Sequence, residues 1–348
     1  VSFVAVWAFF AASLLPAAWG CLGTPSSTFS DAEAYDPPPP WSGGVQVLVE
    51  TGEQALSLAL DRSEVYWQNP GGSVFACPLD GCSKAKPTLL SSLIGPRSGA
   101  LQTLVAADGV AIFLTDEGDQ ISSLAGANPS HAPTTYRTTA GSGFVTLATD
   151  ATHAYFVDTV VTSDGGYNST STLYACPLGA SCTSPKRLHV GANEASLGLL
   201  SVAGGEVYFV ESLTNAMVRA VPTGGGTVRT VCTSDLLRQA QSLIVAGGYV
   251  YFTTSADATS VYDCPAPSVG VASVYIRDLQ PYALASDGAN LYWTNYVYGP
   301  GSVVTCALGP TCDSPFTVAP NQDNVFAVAA NAKSVYWATA SKIYRADR

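Results

Sequence analysis

Seven times along this 348-residue chain, a pair of adjacent large apolar residues follows a turn residue at nearly one offset, and no other feature constrains the fold as tightly. The pairs are Tyr66-Trp67, Ile112-Phe113, Tyr155-Phe156, Tyr208-Phe209, Tyr251-Phe252, Tyr292-Trp293 and Tyr336-Trp337, roughly 41 to 53 residues apart. Five or six residues before each second member stands Asp61, Asp108, Asp150, Gly204, Gly247, Asp287 or Asn331. These residue types tolerate the backbone of a tight hairpin turn, so each phrase reads as strand, turn, strand.

Each unit continues in the same way. A loop of variable length leads to a third strand, as in Ser73–Cys77, Leu173–Cys176, Ser260–Cys264 and Ser302–Cys306, and most units carry a fourth, as in Pro185–Val190. Four short strands in about 40 to 45 residues make one blade of a β-propeller. The last unit, near residues 325–345, has only three strands, while Val45–Glu50 is a strand with no local partner. The expected fold is therefore all-β, a single seven-bladed propeller over residues 45–348 in which the N-terminal strand completes the last blade and removes the free edges. No long 3.6-residue apolar period follows the N-terminus, so helices should be few.

Before the propeller, residues 1–20 are uncharged and largely apolar, which reads as a secretory signal peptide. Residues 21–44 have the Ser- and Pro-rich composition of a tether, and the run Pro37–Pro40 favours a stiff extended spacer. Charged residues make up 12% of the chain and the net charge is -11 with no basic run, which argues against nucleic acid as a partner.

Nine cysteines leave one over after pairing. Cys77 with Cys82, Cys176 with Cys182 and Cys306 with Cys312 are close in sequence, and each pair closes the turn after a third strand. Disulfides are expected rather than zinc, because the pairs lie in different blades with no histidine beside them. Cys232 and Cys264 then remain to join one blade to the next.

Ala18-Trp19-Gly20-Cys21 resembles the cleavage box of bacterial lipoproteins, which implies a lipid on Cys21 and a body held at a membrane in the cell envelope. An ordinary secreted protein is the alternative. Leu291-Tyr-Trp-Thr-Asn295 and Val65-Tyr-Trp-Gln-Asn69 resemble the Tyr-Trp-Thr-Asp repeats of receptor-type propellers, and the Cys-Pro-Leu turns resemble those of bacterial propeller lipoproteins. Those resemblances imply a fold and leave the function open, because propellers bind, scaffold and catalyse alike.

Strand alternation places the Asp-Gly turns and cysteine loops on one face, and the loops after the aromatic pairs on the other. The second face carries the long connections at 158–171, 211–215 and 294–301, where function is expected. Its candidate binding residues are Asp158, Tyr167, Asn168, Glu211, Asn295, Tyr296 and Tyr298, the tyrosines offering rigid contact area. The aspartates at 61, 108, 150 and 287 read as turn caps. The acidic loop Asp116, Glu117 and Asp119 offers oxygens to calcium but is short for a dedicated site, so it reads as a turn. His131, His153 and His189 pair with no nucleophile or carboxylate in a recognisable catalytic pattern and are expected at the surface. The expectation is a monomeric, membrane-tethered module recognising a protein or glycan, with no cofactor; the alternative is a hydrolase or lyase working at the central channel mouth.

Overall fold

A computed structural model of the chain describes residues 44–82, 86–92, 104–107, 109–115, 120–125, 134–138, 143–162, 168–178, 181–192, 195–278, 280–295 and 300–348. It is a seven-bladed β-propeller, with seven sheets, antiparallel but for one short added strand, arranged about a central channel. Blade three illustrates the unit: an inner strand Gly143–Thr149, a second His153–Thr162, a third Asn168–Pro177 and an outer Lys186–Val190. The inner strands touch one another in an unbroken cycle around the channel. In the last blade the outer strand is Gln46–Glu50, paired antiparallel with Lys342–Asp347 through Val47 opposite Tyr344 and Glu50 opposite Lys342. The ring is thus closed by the two ends of the described chain.

The aromatic pair recurs because successive residues of a strand point to opposite faces of the sheet. In every blade the first member packs into the interface with the next blade and the second into the interface with the blade before. Tyr155 lies in the blade-three–blade-four core with Leu197 and Phe209, while Phe156 lies in the blade-two–blade-three core with Ile112 and Leu147. Tyr336 packs with Trp67 across the closure, and Trp337 packs with Tyr292 on the other side. One local phrase therefore supplies both interfaces of its blade, and the core is divided into seven clusters between blades. Full burial of each aromatic contributes roughly 2 to 3 kcal/mol by area.

The turn residues have a second task. Asp61 Oδ1 accepts from the backbone N–H of Ser63 and Glu64, while its Oδ2 accepts from Tyr66 Oη at 2.8 Å. Asp150 repeats this with Tyr155 at 2.6 Å, and Asp287 with Tyr292 at 2.7 Å. A carboxylate here caps the turn and satisfies the hydroxyl of a tyrosine whose ring is buried, so the capping role expected for these aspartates is seen at positions 61, 150 and 287; Asp108 lies outside the described residues. Blades four and five use Gly204-Gly205 and Gly247-Gly248, all with positive φ as a tight hairpin turn requires. Their tyrosines find other acceptors: Tyr208 donates to Glu206, and Tyr251 to the Gly309 carbonyl of the following blade.

All four expected disulfides are formed: Cys77–Cys82, Cys176–Cys182, Cys306–Cys312 and Cys232–Cys264. The last links the outer strand of blade four, Arg229–Thr233, to the third strand of blade five, Ser260–Pro265. At the same junction Gly270–Val271 adds to blade four in parallel, opposite Cys232 and Thr233, before the chain enters the outer strand of blade five, Ser273–Arg277. This fifth strand has no counterpart in the repeat pattern. A 3-10 turn, Asp235–Gln239, capped by Ser234, leads into blade five.

Candidate binding face

Turns between the first and second strands, and between the third and outer strands, share one end of every blade, as antiparallel order requires. The other end carries the connections expected to be long loops, and here the structure corrects the sequence reading. Much of the connection at 158–171 is a two-stranded ribbon in which Asp158 pairs with Thr172 and Thr162 with Asn168. The β-branched residues Thr159, Val160, Val161 and Thr162 prolong the strand instead of ending it. Glu211 and Asn295 likewise sit within second strands, Glu206–Ser212 and Asn290–Asn295. Asn168 opens the third strand of blade three. Tyr167, Tyr296, Tyr298, Asp116, Glu117, Asp119, His131 and Cys21 lie outside the described residues.

Asp158, Glu211 and Asn295 occupy one repeat position, three residues beyond the first aromatic, and the equivalents are Asn69, Thr115, Thr254 and Thr339. Every member is polar, and all but Thr115, whose side chain is not described, are buried. Their bonds explain the choice. Asn69 accepts from Ser73 N and donates to Glu53; Thr254 donates to the Leu236 and Gln239 carbonyls; Thr339 donates to Lys342 O. The position ties the end of the second strand to neighbouring connections. Glu211 does so with charge: its Oε1 lies 3.1 Å from His189 Nε2 and accepts from Ala192 N at 3.3 Å, while its Oε2 lies 3.3 Å from Arg219 Nε. His189, expected at the surface, is thus mostly buried and joins the outer strand of blade three to blade four. Its carboxylate partner lies 22 residues away, and no short motif announces it.

Asn295 belongs to a recess of about 330 Å³ between the outer strand of blade five and the third strand of blade six. Asp278 Oδ2 accepts from Trp293 Nε1 at 2.7 Å and from Asn295 Nδ2 at 3.0 Å, and Ser302 Oγ accepts from the same Nδ2 at 3.1 Å. A carboxylate only accepts, so these bonds set which way the amide points. Among the described residues, Asn295 Oδ1 is left buried without a hydrogen-bond donor. Gly301 faces the Asn295 carbonyl so closely that any side chain there would collide with it. Arg277, Pro300, Pro315 and Thr317 complete the walls.

The central channel differs. Its cavity, about 300 Å³, is walled by inner-strand residues such as Leu58, Ala106, Leu147, Ala283 and Val328, with Ser57, Thr149, Gln241 and Ser242 as the polar members. None of these lining residues is titratable, and among the described residues no three His, Cys, Asp or Glu side chains cluster as a metal site would need.

No protein-family profile matches the chain and no curated protein does so either. Solved structures do resemble it. The chain is similar to YCF48 bound to D1 peptide, at 9% identity and a TM-score of 0.58, covering 87% of this chain and 96% of that one. It is similar to BamB from Moraxella catarrhalis, at 11% identity and 0.52, covering 84% and 85%. A chain of a nidogen/laminin complex matches at 14% identity and 0.52, covering 77% and 97%. At such identities the likeness establishes the fold, and the chain is a β-propeller.

Proposed function

We propose that this chain is an extracytoplasmic binding or scaffold propeller that is held to a membrane through lipid on Cys21 and recognises a protein partner on the face bearing the 158–171, 211–215 and 294–301 connections. The carrying observation is the asymmetry of the two faces. On one, three cysteine clamps and the aspartate caps commit the polar groups to the fold. On the other, a ribbon extends from blade three, and the blade-five–blade-six junction holds a recess of about 330 Å³. Four disulfides are consistent with an oxidising compartment. No helix among the described residues is long and apolar enough to cross a membrane. A protein partner is favoured over a glycan because similar propellers are seen with laminin and with a peptide. The absence of a titratable side chain from the channel lining favours binding over the hydrolase or lyase reading.

The test is capture of partners from the envelope by the exported protein and two sets of variants. Tyr167→Ala and Tyr296→Ala should weaken capture at an unchanged melting temperature, since aromatic anchors dominate many interfaces. Substitutions at the exposed Asp80 and Asp313, beside the cysteine loops, should leave it intact. Disturbance by the second set alone would reverse the faces. N-terminal mapping that places the mature end elsewhere than Cys21 would remove the anchor.

A further inference from the structure

Each inner strand is the end member of its sheet and pairs on one side only, so one edge of its backbone faces the central channel. The N–H and C=O groups along that edge need partners from outside the sheet. Leu58, Leu104, Leu147, Leu284 and Val328 stand at one level of the channel wall, each opposite the second member of its aromatic pair. Leu56, Gln241, Ser242 and Phe326 come before that level in the chain, so they line the end of the channel nearer the connections between blades. All four are partly exposed. Gln241 is placed there by a bulge: Ala240 pairs with Thr254 and Ser242 with Thr253, which makes Gln241 the extra residue of its strand. Such an insertion re-aims a side chain. Among the described residues no hydrogen bond engages the Gln241 amide, which keeps its donors and its acceptor for a guest. Ser242 Oγ accepts from Leu284 N at 3.1 Å, which leaves its O–H to donate. No titratable side chain lines the channel among the described residues, so a charged guest would lose its water and gain no counter-charge. The apolar Leu56 and Phe326 suit the C–H face of a ring, and the amide and hydroxyl suit its polar edge. The cavity of about 300 Å³ lies at the lower end of the range for small-molecule pockets.

We propose that this end of the channel, with Gln241, Ser242, Phe326 and Leu56, is the binding site for a small uncharged polyhydroxyl ring, a monosaccharide or cyclitol. The site lies within the ring of blades and does not depend on where a protein partner docks.

The exported protein is titrated calorimetrically with D-glucose, D-galactose, D-mannose and myo-inositol, with D-glucuronate and D-galacturonate as charged counterparts. At least one neutral ring should bind saturably at one site per chain, and both uronates at least tenfold more weakly. Gln241→Leu should weaken that binding about three- to tenfold, the loss of one neutral hydrogen bond. Its melting temperature should be unchanged, because no bond within the described fold holds the amide. Ala283→Phe fills the channel wall near Gln241 and should abolish binding. Because Ala283→Phe can also disturb its inner strand, Gln241→Leu decides the assignment by itself. No saturable binding of any of the four neutral rings, uronates bound as tightly as they are, or binding that ignores Gln241→Leu would each overturn the proposal.

Discussion

Tyr136 and Cys182 hold each other across the boundary between blades two and three. The hydroxyl of Tyr136 donates to the Pro177 carbonyl at 2.9 Å, and the backbone N–H of Cys182 donates to the Tyr136 carbonyl at 2.8 Å. Blades five and six repeat the arrangement with Tyr275, whose hydroxyl donates to Ala307 O at 2.5 Å and whose carbonyl accepts from Cys312 N at 3.0 Å. The short disulfide loops are therefore clasps between blades as well as closures of their own turns. The Cys176→Ser, Cys182→Ser double variant should lose about 2 kcal/mol for the open loop and more for the slackened clasp. Tyr275→Phe should cost about 1 kcal/mol, one hydrogen bond. Denaturant unfolding of the two variants decides it; a cost for the double variant no greater than an isolated small loop predicts would mean the clasp contributes nothing.

Trp337 joins blade seven to blade six, its ring in the core with Tyr292 and its Nε1 donating to Gln322 Oε1 at 3.0 Å. Trp337→Ala should cost about 3 to 5 kcal/mol, the range for removing a large buried aromatic. Because each interface is a separate cluster, the companion Phe156→Ala, three interfaces away on the far side of the ring, should add to it without coupling. Strong non-additivity in the double variant would mean the ring transmits strain around its circumference.

Much of this architecture is legible in the sequence because its determinants are local. An aspartate, a turn and a tyrosine five residues on form one hydrogen-bonded unit, so Asp61 with Tyr66 or Asp287 with Tyr292 can be recognised without the fold. Cys232 and Cys264 can be paired by remainder once the near neighbours are assigned. What resists reading is the contact between blades. Tyr136 reaches Pro177 across 41 residues and Tyr336 reaches the Leu79 carbonyl across 257, and neither partner carries a distinguishing side-chain chemistry. The candidate site is legible in part: the repeat position of Asp158, Glu211 and Asn295 stands out as polar, yet the strand continues through it, so residues read as loop tips are buried. Asp278 and Ser302, which orient Asn295, are ordinary polar residues in the sequence.

Acid should loosen the turns first. Burial alone would push the Asp150 carboxyl up, but hydrogen bonds from Tyr155, Thr152 and His153 outweigh it and hold it below its usual range. Asp287 is held down in the same way by Tyr292, Ala289 and Asn290. A carboxyl depressed in the folded state contributes stability that is complete above its unfolded value, near 4, and is lost as pH falls through the folded value. Asp263 works in the opposite sense, because burial holds it above its usual range despite the Ser273 hydroxyl. The denaturation midpoint should be flat around neutrality and fall below about pH 4. In Asp150→Asn the fall should be shallower, and a profile identical to the parent's would remove these caps from the account.

Closure of the ring by Gln46–Glu50 makes a separable claim. Leu48 and Val49 of that strand are buried in the core shared by blades seven and one, and Lys342 lies 3.3 Å from Glu50. Deleting residues 45–50 removes about 4 kcal/mol of apolar burial and exposes the edge of blade seven. The melting temperature should drop by roughly 10 °C and the transition should broaden. A truncated protein that melts like the parent would show that the last blade is complete with three strands.

Glu211 separates a structural part from a binding part on the same face. It was a candidate for contact with a partner, yet its two oxygens are spent on His189, Ala192 and Arg219 inside the blade-three–blade-four junction. Removing one member of a buried ionic cluster leaves the others desolvated, at a cost of about 3 to 5 kcal/mol when burial is complete. Arg219 is about a quarter exposed, at 26% of its side chain, and water recovers part of that loss. Glu211→Leu should therefore destabilise by roughly 2 kcal/mol, with the cost falling when Arg219 is also replaced by Met. Partner capture measured well below the melting temperature should survive the substitution, because the carboxylate is buried and committed to neighbouring groups. A variant that keeps its stability but loses capture would place Glu211 in the interface after all, and would mean that the ribbon of blade three opens when a partner arrives.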